Sequence, residues 1–172
     1  LATAMALLIY DKAIEDTVGR AIASAKNVKE ALGQVVLRTY NYPLHYVTTK
    51  DSVARIAELK NYQDKKAALL RITFGLSEGT CVSFESVSMP GFYLRYTNFI
   101  LRLEPFQNNS LFKKDATFKP RPGLANKMCV SFESVNYPNY FIRHRNFNLY
   151  LENLLPIRPL FSEDATFMPL LR

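Results

Sequence analysis

The sequence predicts an all-β domain built from three copies of one unit of roughly 47 residues, preceded by an amphipathic helix that packs on it. Three observations carry this. The string Cys81-Val82-Ser83-Phe84-Glu85-Ser86-Val87 returns letter for letter as Cys129-Val130-Ser131-Phe132-Glu133-Ser134-Val135, 48 residues on. Asp115-Ala116-Thr117-Phe118 returns as Asp164-Ala165-Thr166-Phe167, 49 residues on. Within the copies, apolar residues alternate with polar ones, the pattern of strands with one buried face. Two landmarks recurring at one period mean that a single supersecondary unit has been reused.

In chain order, the first element is the helix. Ile14, Val18, Ile22, Ala25, Val28 and Leu32 recur every three or four residues and make one apolar stripe. Asp11, Glu15 and Asp16 lie toward its start, Lys26 and Lys29 toward its end, and Gly33 is a stop. One stripe cannot be buried alone, so residues 1–33 are expected to pack on the β domain; a membrane-surface or partner-binding helix is the sharper alternative. Leu1–Tyr10 reads either as the tail of a signal sequence or as the buried start of a helix.

Residues 34–172 then form three units, about 34–80, 81–128 and 129–172, aligned on Pro43, Pro90 and Pro138. The first is the most diverged. Asn41-Tyr42-Pro43 still matches Asn136-Tyr137-Pro138, and Leu70-Arg71-Ile72-Thr73-Phe74 is placed under Lys114–Phe118. Ser-Met-Pro-Gly and Asn-Tyr-Pro-Asn are turn signals between strands. Glu104–Ser110 and Glu152–Pro159 read as loops, which leaves about four short strands per unit and favours a pseudo-threefold barrel.

Composition bounds the function. Apolar content of 48% supplies a core, and no 18-residue apolar run exists to span a membrane. The net charge of +7 is spread without runs, so it points to a charged surface and not to nucleic acid. Cys81 and Cys129 occupy equivalent positions in separate units, too far apart for a disulfide, and are expected to be buried free thiols. His45 and His144 lack zinc-ligand spacing, and there is no phosphate-binding glycine loop or G-x-S-x-G string, so no cofactor is expected.

The strings SFESVNYP, FIRHRNF and DATF together resemble the arabinose-binding domain at the C-terminus of α-L-arabinofuranosidase B enzymes, a β-trefoil carbohydrate-binding module. The resemblance runs from about Val35 to Arg172. It implies a sugar pocket built from the His of R-H-x-N, the Asp of DATF and nearby aromatic rings. A carboxylate accepts from vicinal hydroxyls, imidazole serves a further hydroxyl, and a ring covers the C–H face of the sugar. The third lobe keeps this set in Arg143, His144, Asn146 and Asp164, with Tyr137 and Tyr140 nearby. The second has Asp115 and Asn98 but carries Tyr96 in place of the His. The first, with Thr48-Thr49-Lys50 and with Arg71 in the Asp slot, is expected to have lost the site.

Bland readings stand beside these. His144 is a surface histidine in one; Asp115 and Asp164 cap turns in another; Glu85 and Glu133 are read as structural. Glycosidases need two carboxyls about 5 Å or 6.5–9.5 Å apart, and Asp115 and Asp164 lie on separate lobes, so the chain is expected not to be an enzyme. The expected function is a non-catalytic, lectin-like module for arabinofuranose-type or other terminal glycans. A protein-interaction module, with partner contact or self-association through the N-terminal helix, is the alternative. A third reading has Arg95, Arg143 and Arg145 binding anionic glycans or lipids. The sequon Asn108-Asn109-Ser110 is compatible with an extracellular, secreted protein.

Overall fold

The computed structural model describes residues 33–172; the helix expected over 1–33 lies, but for Gly33, outside the described residues. The described chain is all-β with three short helices. Its elements are β1 (Gln34–Thr39), β2 (Tyr46–Lys50), β3 (Val53–Ala57), α1 (Tyr62–Ala68), β4 (Leu70–Phe74), β5 (Val82–Ser86), β6 (Phe92–Thr97), β7 (Ile100–Pro105), α2 (Ser110–Asp115), β8 (Phe118–Pro122), β9 (Val130–Ser134), β10 (Tyr140–Arg145), β11 (Asn148–Asn153), α3 (Phe161–Asp164) and β12 (Phe167–Leu171). Strands recur in groups of four, each group with its helix before the last strand. The sequence pattern indicated none of these helices; the second and third follow directly on or shortly after the segments read as loops, Glu104–Ser110 and Glu152–Pro159. Asn61 and Asn109 cap two of them, accepting from the backbone N–H of Asp64 and Phe112.

Pairing explains the closure. β1, β4, β5, β8, β9 and β12 form an antiparallel ring, each bonded to the next and β12 back to β1. The hairpins β2–β3, β6–β7 and β10–β11 close one end, where β3, β7 and β11 pair with one another. All edges of the ring are thereby used, which removes free strand edges.

Each hairpin turns through two residues of positive φ: Asp51-Ser52, Asn98-Phe99 and Asn146-Phe147. Such turns suit the strand twist, and Asn tolerates the left-handed region better than most side chains. Asn98 and Asn146, expected to bind ligand, therefore have a backbone role.

The core is filled by matched triplets inside the ring and hairpins. Val35, Val82 and Val130 form one; Val47, Leu94 and Ile142 another; Ile56, Leu103 and Leu151 a third. Leu37 matches Phe84 and Phe132, and Leu70 matches Phe118 and Phe167, so the first unit supplies aliphatics where the others supply rings. Cys81 and Cys129 are buried free thiols, whose pKa burial pushes up.

Two glycines mark close approaches. A Cβ on Gly123 would collide with the Asn126 carbonyl oxygen and come within 2.9 Å of Thr166 Cγ2; Gly75 meets Glu78 and Thr117 in the same way. Gly123→Ala should lower stability by about 2 kcal/mol or more, since backbone must shift. Gly79→Ala, where a Cβ meets nothing within 4 Å, is the control in the same denaturant titration.

Candidate functional site

The third-unit residues converge. Arg143 and His144 stand on β10, and Asp164 ends α3. Arg143 Nη2 donates to Asp164 Oδ2 at 2.5 Å, and its Nη1 to Glu152 Oε2 at 2.9 Å. His144 Nε2 lies 3.6 Å from Asp164 Oδ1. The remaining partner comes from the first unit: Asn41 Nδ2 donates to Asp164 Oδ1 at 2.7 Å. That bond turns Asn41 Oδ1 toward His144 Nε2, 2.8 Å away, so the neutral imidazole carries its proton on Nε2. Tyr42 covers the ring, with centroids 5.4 Å apart, and Phe147 lies 6.0 Å from Tyr42.

The site is less open than the sequence suggested. His144 is 3% exposed and Asp164 8%, whereas Tyr42 and Phe147 are 44% and 49% exposed. The accessible surface is thus mainly the Tyr42 and Phe147 rings, beside a largely buried imidazole and carboxylate. Asp164 keeps acceptor capacity, because a carboxylate has about four lone-pair sites.

The second unit repeats the plan. Arg95 Nη2 donates to Asp115 Oδ2 and Nη1 to Glu104 Oε2, both at 2.8 Å, and Asn136 Nδ2 donates to Asp115 Oδ1 at 3.2 Å. Tyr96 stands where the third unit has His144; its hydroxyl lies 3.0 Å from Ser134 Oγ. Burial pushes that phenol up to about 12, despite a hydrogen bond with Ser134 that pulls it down.

Several expectations need correction. Tyr137 and Tyr140 do not serve His144. They belong to the second-unit cluster, Tyr137 at 5.9 Å from Tyr96 and 5.3 Å from Phe99, and Tyr140 at 5.6 Å from Phe99. Each site is closed by the Asn-Tyr-Pro loop of the following unit, so Asn41 and Tyr42 complete the third and Asn136 and Tyr137 the second. Asn41 and Tyr42 were missed as site residues although their match to Asn136-Tyr137 was visible. Arg95, Arg143 and Arg145 are not free for anions: the first two hold buried carboxylates, and Arg145 donates to Glu152 at 2.8 Å and lies over Tyr150. The strand register puts Leu70 opposite Ser86 as Phe118 is opposite Ser134, so Ala67, not Arg71, occupies the Asp slot of the first unit. Glu85 and Glu133 accept backbone N–H groups from Gly91 and Asn139, at 2.9 and 2.8 Å, and so brace the turns.

The electrostatics give a pH dependence. Burial holds His144 below its ordinary value of 6.5, with Arg143 and His45 acting the same way against Asp164. The unfolded chain therefore takes up a proton that the folded chain resists, and stability should fall as pH drops below about 6.5. Burial raises Glu152, but hydrogen bonds from Arg145 and Arg143 outweigh it and hold the group below 4.5. Its stabilising contribution is present above that value and is lost as pH falls further. Urea midpoints between pH 7.5 and 5 should slope downward in the native chain and flatten in His144→Gln.

The class these features define is an all-β scaffold assembled from repeated units, with Asp–Arg–Asn clusters under exposed rings at the junctions between units. A family profile for the alpha-L-arabinofuranosidase B (ABFB) domain matches residues 35–169, and the chain belongs to that family. Alpha-L-arabinofuranosidase B of Aspergillus niger is 32% identical over 122 residues, covering 63% of this chain and 24% of the relative. The enzyme of the same name from Emericella nidulans is 54% identical over 41 residues, covering 24% of this chain and 8% of its own. Among solved structures, an arabinofuranosidase complexed with arabinofuranosyl-alpha-1,2-xylobiose superposes with a TM-score of 0.76 at 28% identity, covering 81% of this chain and 31% of that one. A β-trefoil, BEL, superposes with a TM-score of 0.61 at 10% identity, covering 81% and 93%, a likeness of fold alone. The chain thus spans about a quarter of the curated relatives' length.

These names overturn the reading that the chain is not an enzyme. Relatives sharing the domain are arabinofuranosidases, and so is the solved structure that superposes at 28% identity. The separation of Asp115 from Asp164 concerns only the matched quarter and is no ground for denying activity.

Proposed function

We propose that residues 34–172 are a glycan-binding β-trefoil domain, its lobes at about 34–80, 81–128 and 129–172, that takes arabinofuranose-type sugar side chains at the third lobe and a related group at the second. What supports the reading is the Asp–Arg–Asn cluster, built twice at equivalent positions and topped each time by exposed rings. The neighbour holding an arabinofuranosyl ligand points the same way. The carboxylate edge accepts from a ring hydroxyl, Tyr42 and Phe147 cover apolar sugar C–H groups, and His144 and Asn41 fix the carboxylate's orientation. In the second lobe, Asp115, Tyr137 and Phe99 take these parts. Weak single sites act together on a polymer bearing many side chains. Such polymers lie outside cells, and we assign the protein there; among the described residues no helix is long and apolar enough to cross a membrane.

Calorimetric titration with arabinofuranosyl-alpha-1,2-xylobiose tests this. Binding is expected to be saturable, to change little with salt, and to fall at least tenfold when Tyr42→Ala is combined with Tyr137→Ala. These rings are exposed enough for the fold to survive, which the far-ultraviolet spectrum verifies. A folded double variant that binds as tightly as the native chain would refute the assignment.

A further inference from the structure

The first unit, which lacks the Asp–Arg–Asn cluster, has a hollow of about 560 Å³ between the β2–β3 hairpin and α1. Its origin can be read from the register. Thr48 faces Arg55 across the hairpin as Arg95 faces Arg102 and Arg143 faces Tyr150. Thr48 therefore occupies the slot of the ion-pairing arginines. By the same alignment Ala57 replaces Glu104 and Glu152, Ala67 replaces Asp115 and Asp164, and Asp64 replaces the buried rings Phe112 and Phe161. All four replacements line the hollow. It is the volume vacated when a buried ionic cluster is exchanged for small side chains.

One cation was left behind. Arg55 lines the hollow, and its Nε is buried without a hydrogen-bond partner. Arg95 and Arg143 also have an unpartnered Nε, but their Nη atoms hold carboxylates. Among the described residues Arg55 has no such pair. His45, whose Nδ1 is buried and unpartnered, lines the same space, as do Lys50 and Lys60. Two carboxylates line it as well: Glu58, and Asp64, one oxygen of which already accepts the Lys60 backbone N–H at 3.0 Å. Thr48 and Thr49 supply hydroxyls, and Phe147 a partly exposed ring.

We propose that this hollow is a binding site for a carboxylate-bearing sugar, a hexuronic acid residue of an acidic glycan. A planar guanidinium that lines a hollow without a carboxylate of its own pairs best with a ligand carboxylate, which it can grip through two parallel hydrogen bonds. Arg55 is half-buried and, among the described residues, without an ion pair, and a counter-charge brought by a ligand is screened less in a hollow than on the open surface. The space suits one or two sugar rings. Phe147 covers a C–H face, and the threonines and His45 meet hydroxyls. The hollow shares Phe147 with the third-unit site but uses neither its carboxylate nor Tyr42, so Arg55→Gln tests this reading and the Tyr42→Ala, Tyr137→Ala variant tests the other.

The test titrates the full chain with glucuronic and galacturonic acids, their methyl esters, and arabinose, followed by amide chemical shifts. Saturable binding of a uronic acid is expected, at least tenfold weaker for its methyl ester, with shifts in β2, β3 and α1. Arg55→Gln should lower uronate affinity tenfold or more and leave arabinofuranosyl binding unchanged. Thr48→Arg with Ala57→Glu and Ala67→Asp, which rebuilds the ionic cluster inside the hollow, should abolish uronate binding. Acid and ester binding equally, uronate affinity unaltered in Arg55→Gln, or no saturable uronate binding would each overturn the proposal.

Discussion

Arg143→Met is expected to destabilise the domain by about 3–5 kcal/mol, lowering Tm by roughly 10 °C. The side chain of Arg143 is 7% exposed and donates to both Asp164 and Glu152. Methionine keeps much of the volume and the contact with Phe161, over which the guanidinium lies at 5.0 Å. What changes is that Asp164 loses its counter-charge while still buried. Glu152 suffers less, because Arg145 remains 2.8 Å from it. Arg145→Met is the control: its side chain is 48% exposed, and such a pair contributes at most about 1 kcal/mol. If thermal unfolding gave the two variants equal losses, the third-unit cluster would be ordinary surface electrostatics. The first unit shows the other way out of such a cluster. There the arginine, glutamate and aspartate slots hold Thr48, Ala57 and Ala67, so no carboxylate is stranded, and the structure has a hollow instead.

The strands and their inward faces were legible in the sequence because a buried face imposes period-two alternation directly. Leu94, Leu101 and Leu103, and their counterparts Ile142, Leu149 and Leu151, stand in the core as that alternation requires. Pairing of His144 with Asp164 was reached through the resemblance to the arabinofuranosidase B domain, which places the strings carrying them in one pocket. Which loop closes each site was not. Asn41 lies 123 residues from Asp164, and nothing local to either states that the unit following in space completes the unit before it. For that reason Tyr137 and Tyr140 were placed in the wrong cluster. The short helices were hidden because four to seven residues show no helical period, and Asn61 and Asn109 also read as turn residues. The misplaced Asp slot in the first unit has a simpler cause. Thr73-Phe74 repeats the letters of Thr117-Phe118, but the backbone pairs Leu70, not Phe74, in the position of Phe118.

The aromatic part of the core yields the second large effect. Phe132 is 1% exposed, packs edge-on against Phe84 at 5.0 Å and lies 6.3 Å from Phe167. Phe132→Ala is expected to cost about 3–5 kcal/mol, from lost transfer free energy together with the cavity left among rings too rigid to collapse into it. Leu37, at the equivalent place in the first unit, should cost about 2–5 kcal/mol on truncation to alanine. Leu37→Phe probes the asymmetry directly. If the three places were interchangeable, a third ring would fit and stability would rise. The first unit instead presents Leu70 where its counterparts present Phe118 and Phe167, so the axis is already filled by four rings and two leucines. A further ring there should overpack the centre and cost about 1–3 kcal/mol. Denaturant midpoints for the three variants, with a double-mutant cycle between Phe84 and Phe132, measure this. Edge-on ring pairs contribute about 0.5–1.5 kcal/mol beyond their burial, so a coupling near zero would mean that the two rings act only as filler.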